Sequence, residues 1–135
     1  MHSPKRPEGI AETITVTKVR EVLLVTMPSD PDDPTICALQ EKTLEAMDQH
    51  TVTGLVLDLT RVEILDSYFA RTVAETAQMV ELMGGETIIA GMRPAVAITA
   101  TELGVSLGRT RTALNVDRAL DMVGRARHPK PRRRA

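Results

Sequence analysis

The chain has 135 residues, 42% apolar and 26% charged, which suits one domain with a single core and excludes both two full domains and a disordered chain. Its two aromatic residues, Tyr68 and Phe69, are adjacent, and it has one cysteine, Cys37. The core must therefore be aliphatic, a base-stacking surface for single-stranded nucleic acid and an internal disulfide framework are excluded, and a reducing, cytoplasmic location is expected. The formal net charge of −1 hides an asymmetry: residues 125–134 carry six basic side chains and no acid, leaving 11 basic against 18 acidic in residues 1–124.

Residues 1–11 are read as a tail. They lack the apolar run of a secretion signal, and no stretch of the chain approaches the roughly 20 apolar residues of a membrane span. Over residues 12–19 and 22–27, β-branched and aliphatic residues alternate with polar ones around Arg20-Glu21, which predicts a hairpin. The linker Pro28-Ser29-Asp30-Pro31-Asp32-Asp33-Pro34 leads into a helix, with Asp33 expected as N-cap and Pro34 at the first helical position. That helix should reach about Gln49, with Ile36, Leu39, Thr43, Leu44 and Met47 on one side. Cys37 is read as core, the alternative being a reactive thiol, and His50 as a helix-terminal charge partner rather than a metal ligand.

Residues 54–59, Gly-Leu-Val-Leu-Asp-Leu, form a nearly continuous apolar run, the pattern of a central strand covered on both faces. Asp66 can cap a second helix, in which Phe69, Val73, Thr76, Ala77, Val80 and Met83 recur at three-and-four spacing until Gly84-Gly85 stops it. Residues 86–91 read as another strand, and Arg93-Pro94 opens a third helix running to about Gly104. An edge strand over residues 109–112 and a short fourth helix from Asn115, as cap, to Val123 complete the order β-β-α-β-α-β-α-(β)-α. Strands alternating with helices require an α/β fold, here a mixed, mostly parallel sheet packed by about four helices and opened by the antiparallel hairpin. The domain is expected over residues 12–124, with a basic tail over 125–135.

Little in the chain resembles catalytic machinery. His2 and His128 lie in the tails, and neither G-x-G-x-x-G nor a Walker A pattern occurs; no metal and no cofactor are expected. An enzyme using Asp58 or Asp66 as a base rests only on carboxylates near strand ends, where α/β sheets place sites, and both are also read as caps. The informative stretch is Asp58 to Tyr68, where a loop leaves a buried strand and delivers the Ser67 hydroxyl to the start of a helix. Free N–H groups and the positive dipole end favour an anion there, so a phosphoryl group on Ser67 could be held. On spacing alone, Asp66-Ser67 reads first as only a capping pair. Phe69 belongs to the core stripe, whereas Tyr68 lies roughly 100° round the helix and is a candidate partner contact.

Several motifs occur in order: Leu55-Val56-Leu57-Asp58-Leu59-Thr60 before Asp66-Ser67; Leu82-Met83-Gly84-Gly85; Ala90-Gly91-Met92-Arg93-Pro94-Ala95-Val96-Ala97-Ile98-Thr99; and Glu102-Leu103-Gly104-Val105. Together they resemble the STAS domain (sulphate transporter and anti-sigma-factor antagonist) over about residues 12–124. Thr112-Ala113-Leu114-Asn115 further resembles the stand-alone, RsbS-type stressosome subunits.

The resemblance implies a non-enzymatic phospho-switch. A serine/threonine kinase of the histidine-kinase-like ATPase fold (RsbT-like) phosphorylates the antagonist's Asp-Ser serine, here Ser67. A sensor-bearing STAS paralogue (RsbR-like) co-assembles into a shell that sequesters the kinase, and a phosphatase (RsbX-like) resets the system. With about eleven residues ahead of the first strand, the chain is expected to be the S-type partner, in a homo- or hetero-oligomer without membrane or nucleic acid. Thr99 matches a second phosphorylatable position, although on a helix it could equally bond back to a carbonyl. The alternative function is a simple anti-anti-sigma factor that binds an anti-sigma kinase without a shell. The tail His128-Pro129-Lys130-Pro131-Arg132-Arg133-Arg134 departs from the family pattern; it reads as a solvated end or as a segment pairing with acidic bodies of neighbouring subunits or with nucleic acid.

Overall fold

A computed structural model of the chain describes residues 14–104 and 110–127, the last four by backbone alone. The elements are β1 (Thr15–Val19), β2 (Val22–Thr26), α1 (Asp33–Gln49), β3 (Gly54–Asp58), α2 (Ser67–Leu82), β4 (Glu86–Ala90), α3 (Pro94–Glu102), β5 (Arg111–Ala113) and α4 (Val116–Arg127). They form the expected α/β architecture. The five strands make one sheet in the order β1-β2-β3-β4-β5, antiparallel between β1 and β2 and parallel thereafter.

The pleat sorts the apolar residues between two layers. Leu23, Val25, Leu55, Leu57 and Ile89 turn to the face covered by α1 and α2, where they meet Ile36, Leu39, Phe69, Val73 and Val80. Val22, Val56, Ile88 and Ala90 turn to the other face, under Ala119, Leu120 and Val123 of α4. The continuous apolar run of β3 thus answers to cover on both sides.

Local chemistry sets the element ends. Asp66 caps α2, as expected, its carboxylate accepting from the Phe69 N–H at 2.8 Å, and Asn115 caps α4 through the Arg118 N–H at 2.9 Å. At α1 the cap is Asp32, not Asp33: the Asp32 carboxylate accepts from the Thr35 N–H at 2.9 Å. Asp33 and Pro34 then occupy the first two helical positions, both of which tolerate a missing N–H. Helix α2 ends at Leu82, before Gly84 at φ +93°, so Met83 falls outside the helical stripe and is exposed.

Cys37, read as core, is exposed, with its sulfur 3.9 Å from the Glu41 carboxylate. The buried stripe of α1 is Ile36, Leu39, Thr43 and Met47, and a residue next to Ile36 is turned about 100° away from it. Helix α4 continues to Arg127 rather than stopping near Val123, so the segment read as tail begins inside it. Strand β5 begins at Arg111. The expected tail over residues 1–11, the start of the hairpin at Glu12, the start of the edge strand at Arg109 and residues 128–135 lie outside the described residues. Among the described residues, no helix is long and apolar enough to cross a membrane.

Candidate functional site

The loop between β3 and α2 is built from three buried anchors. Leu59, Val62 and Leu65 turn inward while Thr60, Arg61, Glu63 and Ile64 remain exposed. Backbone bonds fix its course: Leu59 N–H donates to Ala90 O at 2.9 Å, Val62 N–H to Leu59 O at 3.0 Å and Glu63 N–H to Ser29 O at 2.9 Å. The Asp58 carboxylate accepts from the Thr60 N–H at 2.9 Å and from its hydroxyl at 2.5 Å, an Asx-type turn that reverses the chain as it leaves the sheet.

Two residues after β4 hold this loop from the side. Arg93 Nε donates to Thr60 O at 2.9 Å, and its guanidinium lies 3.9 Å from the Glu63 carboxylate. Gly91 adopts φ +75° and lies against Thr60, so that a Cβ there would overlap the Thr60 hydroxyl. Sequence reasoning assigned no such role to Arg93, Gly91 or Thr60. The only local signal was a glycine between a strand and an Arg-Pro helix start; the contacts join segments about thirty residues apart.

The loop delivers Ser67 to the first position of α2, directly after the Asp66 cap. Ser67 is exposed. The N–H groups of Ser67 and Tyr68 have no intrahelical acceptor, while that of Phe69 is taken by Asp66. An anion on the Ser67 oxygen would meet these donors and the positive end of the helix, which act against repulsion from the neighbouring Asp66. Arg71, one turn on and exposed, adds a cation at the spacing that brings helix side chains together. Tyr68 is 38% exposed beside it, and Phe69 is buried.

The remaining candidates are placed differently. Thr99, on α3, is half-buried and its hydroxyl donates to Ala95 O at 3.0 Å, the back-bonded geometry that competes with its availability. The carboxylates of Asp58 and Asp66 are both engaged in turn and cap bonds. His50 is the exposed C-cap residue of α1. Among the described residues, no group of three or more His, Cys, Asp and Glu is placed to hold a metal ion.

The weight of the Asp66 cap is measurable. Asp66→Ala should cost about 1 kcal/mol in urea unfolding, whereas Asp66→Asn, which keeps an acceptor oxygen, should cost only a few tenths. Equal losses in the two variants would show that the cap bond is not what fixes this helix start.

Comparison with known proteins places the chain. It is 26% identical over 106 residues to the RsbT co-antagonist protein RsbRB of Bacillus subtilis, covering 78% of this chain and 38% of that protein. The chain thus spans well under half the length of this curated relative. An RsbS serine-to-glutamate variant from Moorella thermoacetica superposes with a TM-score of 0.77 at 29% identity, covering 86% of this chain and 98% of that one. A chain from the molecular architecture of the stressosome, a signal integration and transduction hub, superposes with a TM-score of 0.73 at 32% identity, covering 82% and 96%. The STAS domain model matches residues 13–119, about four-fifths of the sequence, and the chain belongs to the STAS domain family.

Proposed function

We propose that this chain is a non-enzymatic phospho-switch, a scaffold subunit of a stressosome-type assembly that holds a serine kinase and lets it go when Ser67 is phosphorylated. The observation that carries the reading is the exposed Ser67 at the first position of α2, on a loop pinned by buried anchors and by Arg93. Likeness to an RsbT co-antagonist and to a stressosome chain supports an RsbT-like kinase and an RsbR-like paralogue as the partners; the cycle is closed by an RsbX-like phosphatase that removes the phosphoryl group. In the transfer, the γ-phosphoryl of ATP passes to the Ser67 oxygen, the hydroxyl proton leaves to a base of the kinase, and ADP is released. The added charge of nearly −2 changes the docking face formed by Asp66, Ser67 and Tyr68 without requiring the helix to unfold. Thr99 is the second candidate acceptor, reached only if its bond to Ala95 O is given up.

The test is to incubate the wild-type chain and Ser67→Ala with an RsbT-like kinase and ATP and to map the phosphoryl group by mass spectrometry. Wild type should gain one phosphoryl group on the peptide containing Ser67, and the variant none there. The substitution is at an exposed position and should leave stability within about 0.5 kcal/mol. Equal uptake by both proteins overturns the assignment.

A further inference from the structure

Helix α2 buries one side, through Phe69, Val73, Thr76 and Val80, and turns Ser67, Arg71 and Glu75 to solvent. Ser67 and Arg71 are four residues apart, about 40° round the helix and one turn along it. Every Cα–Cβ bond of a helix tilts toward its N-terminus, and long side chains lean over the preceding turn. An arginine at position 71 therefore reaches back over the turn that begins at Ser67.

Arg71 is uncommitted. It is exposed and, among the described residues, has no ion-pair or hydrogen-bond partner. Glu75, one turn further on, is exposed too, but a base placed before an acid is the weaker order for a pair at this spacing, and the two are not joined. Arg93, by contrast, is occupied: its Nε donates to Thr60 O at 2.9 Å and its guanidinium lies 3.9 Å from the Glu63 carboxylate. Carboxylates are frequent around this helix start. Asp66 adjoins Ser67, and the bond from Glu63 N–H to Ser29 O at 2.9 Å brings the linker residues Asp30 and Asp32, and Asp33 in the first turn of α1, to the same end of the sheet. A phosphoryl group of nearly −2 in that setting gains most from a neighbouring cation that no carboxylate already holds.

We propose that Arg71 is a positioning residue of the switch: once Ser67 carries a phosphoryl group, the guanidinium folds back one turn and holds it through paired N–H···O bonds, on the side away from the open N–H groups of the first turn. Phosphorylation then withdraws a free cation from the face that includes Asp66, Ser67 and Tyr68 in the same step that adds the anion. This role rests on Ser67 being the modified residue, and not on which kinase modifies it.

The test uses the full chain with phosphoserine built into position 67 during synthesis. No kinase is needed, so failure here is distinguishable from failure of the kinase reading. The phosphorus resonance, followed against pH, reports the second ionisation of the phosphoryl group. A nearby cation favours the dianion, so the midpoint should lie about half a pH unit lower with Arg71 present than in Arg71→Gln, the shift expected of an exposed pair. Arg71→Lys keeps the charge without the planar fork and should recover part of the difference. Arg61→Gln, which removes an exposed arginine of the loop, should leave the midpoint where it was. Near 1 M salt, where the Debye length is about 3 Å, the chains with and without Arg71 should converge. A purely structural role for Arg71 would change the melting temperature of the unphosphorylated chain and leave the titration alone. Equal midpoints with Arg71 and with Arg71→Gln, or a rise as large in Arg61→Gln, overturns the proposal.

Discussion

Gly91→Ala should lower stability by about 2–5 kcal/mol. Two terms combine. An L-residue at φ +75° costs about 1–2 kcal/mol, and the new methyl meets the Thr60 side chain, an overpacking cost of about 1–3 kcal/mol. Thr60 cannot simply swing away, because its hydroxyl is bound to Asp58 and its carbonyl to Arg93. With a urea slope of about 1–3 kcal/mol/M, the midpoint should fall by about 1 M or more. Thr60→Ala in the same chain removes the obstructing oxygen but not the backbone strain, so Gly91→Ala should then cost only about 1–2 kcal/mol more than Thr60→Ala alone. A midpoint for Gly91→Ala within error of wild type would show that the loop and β4 are not locked together.

Phe69→Ala should cost about 3–5 kcal/mol, the ordinary range for deleting a buried aromatic ring. The ring is 1% exposed and is the largest of the fully buried side chains, in the layer between the sheet and helices α1 and α2. Set against total stabilities of about 5–15 kcal/mol, this is a large fraction, and the melting temperature should drop by about 10 °C or more. Tyr68→Ala, one residue away but partly exposed, should change stability by less than about 1 kcal/mol, and its effect should show instead in binding to the RsbT-like kinase proposed above. A Phe69→Ala melt close to that of Tyr68→Ala would mean that the ring does not hold the start of α2 against the core.

These two residues also mark how far sequence reading reaches. Phe69 was found by helical spacing, and Asp66 and Asn115 by the preference of short acceptor side chains for N-caps, because such signals are local. The central position of β3 followed from its unbroken apolar run, and the hairpin from alternation. The displaced cap at α1 came from a run of two aspartates before a proline, in which either can serve. Cys37 was misread because residue type was weighed above its angle on the helix wheel. Arg93 and Gly91 were invisible as parts of the site for a different reason: their bond to Thr60 and approach to it depend on β3 and β4 being neighbours, which no local window contains.

The strand order carries a consequence for synthesis. Each strand pairs with the one made just before it, so the sheet and its α1–α2 layer can assemble stepwise as the chain leaves the ribosome, without waiting for distant segments. The second face is the exception. Val22, Val56 and Ile88 stay open to water until α4, which follows all five strands in the chain, arrives to cover them. A nascent chain stalled before residue 116 therefore displays an aliphatic strip, the feature on which chaperones capture unfinished proteins.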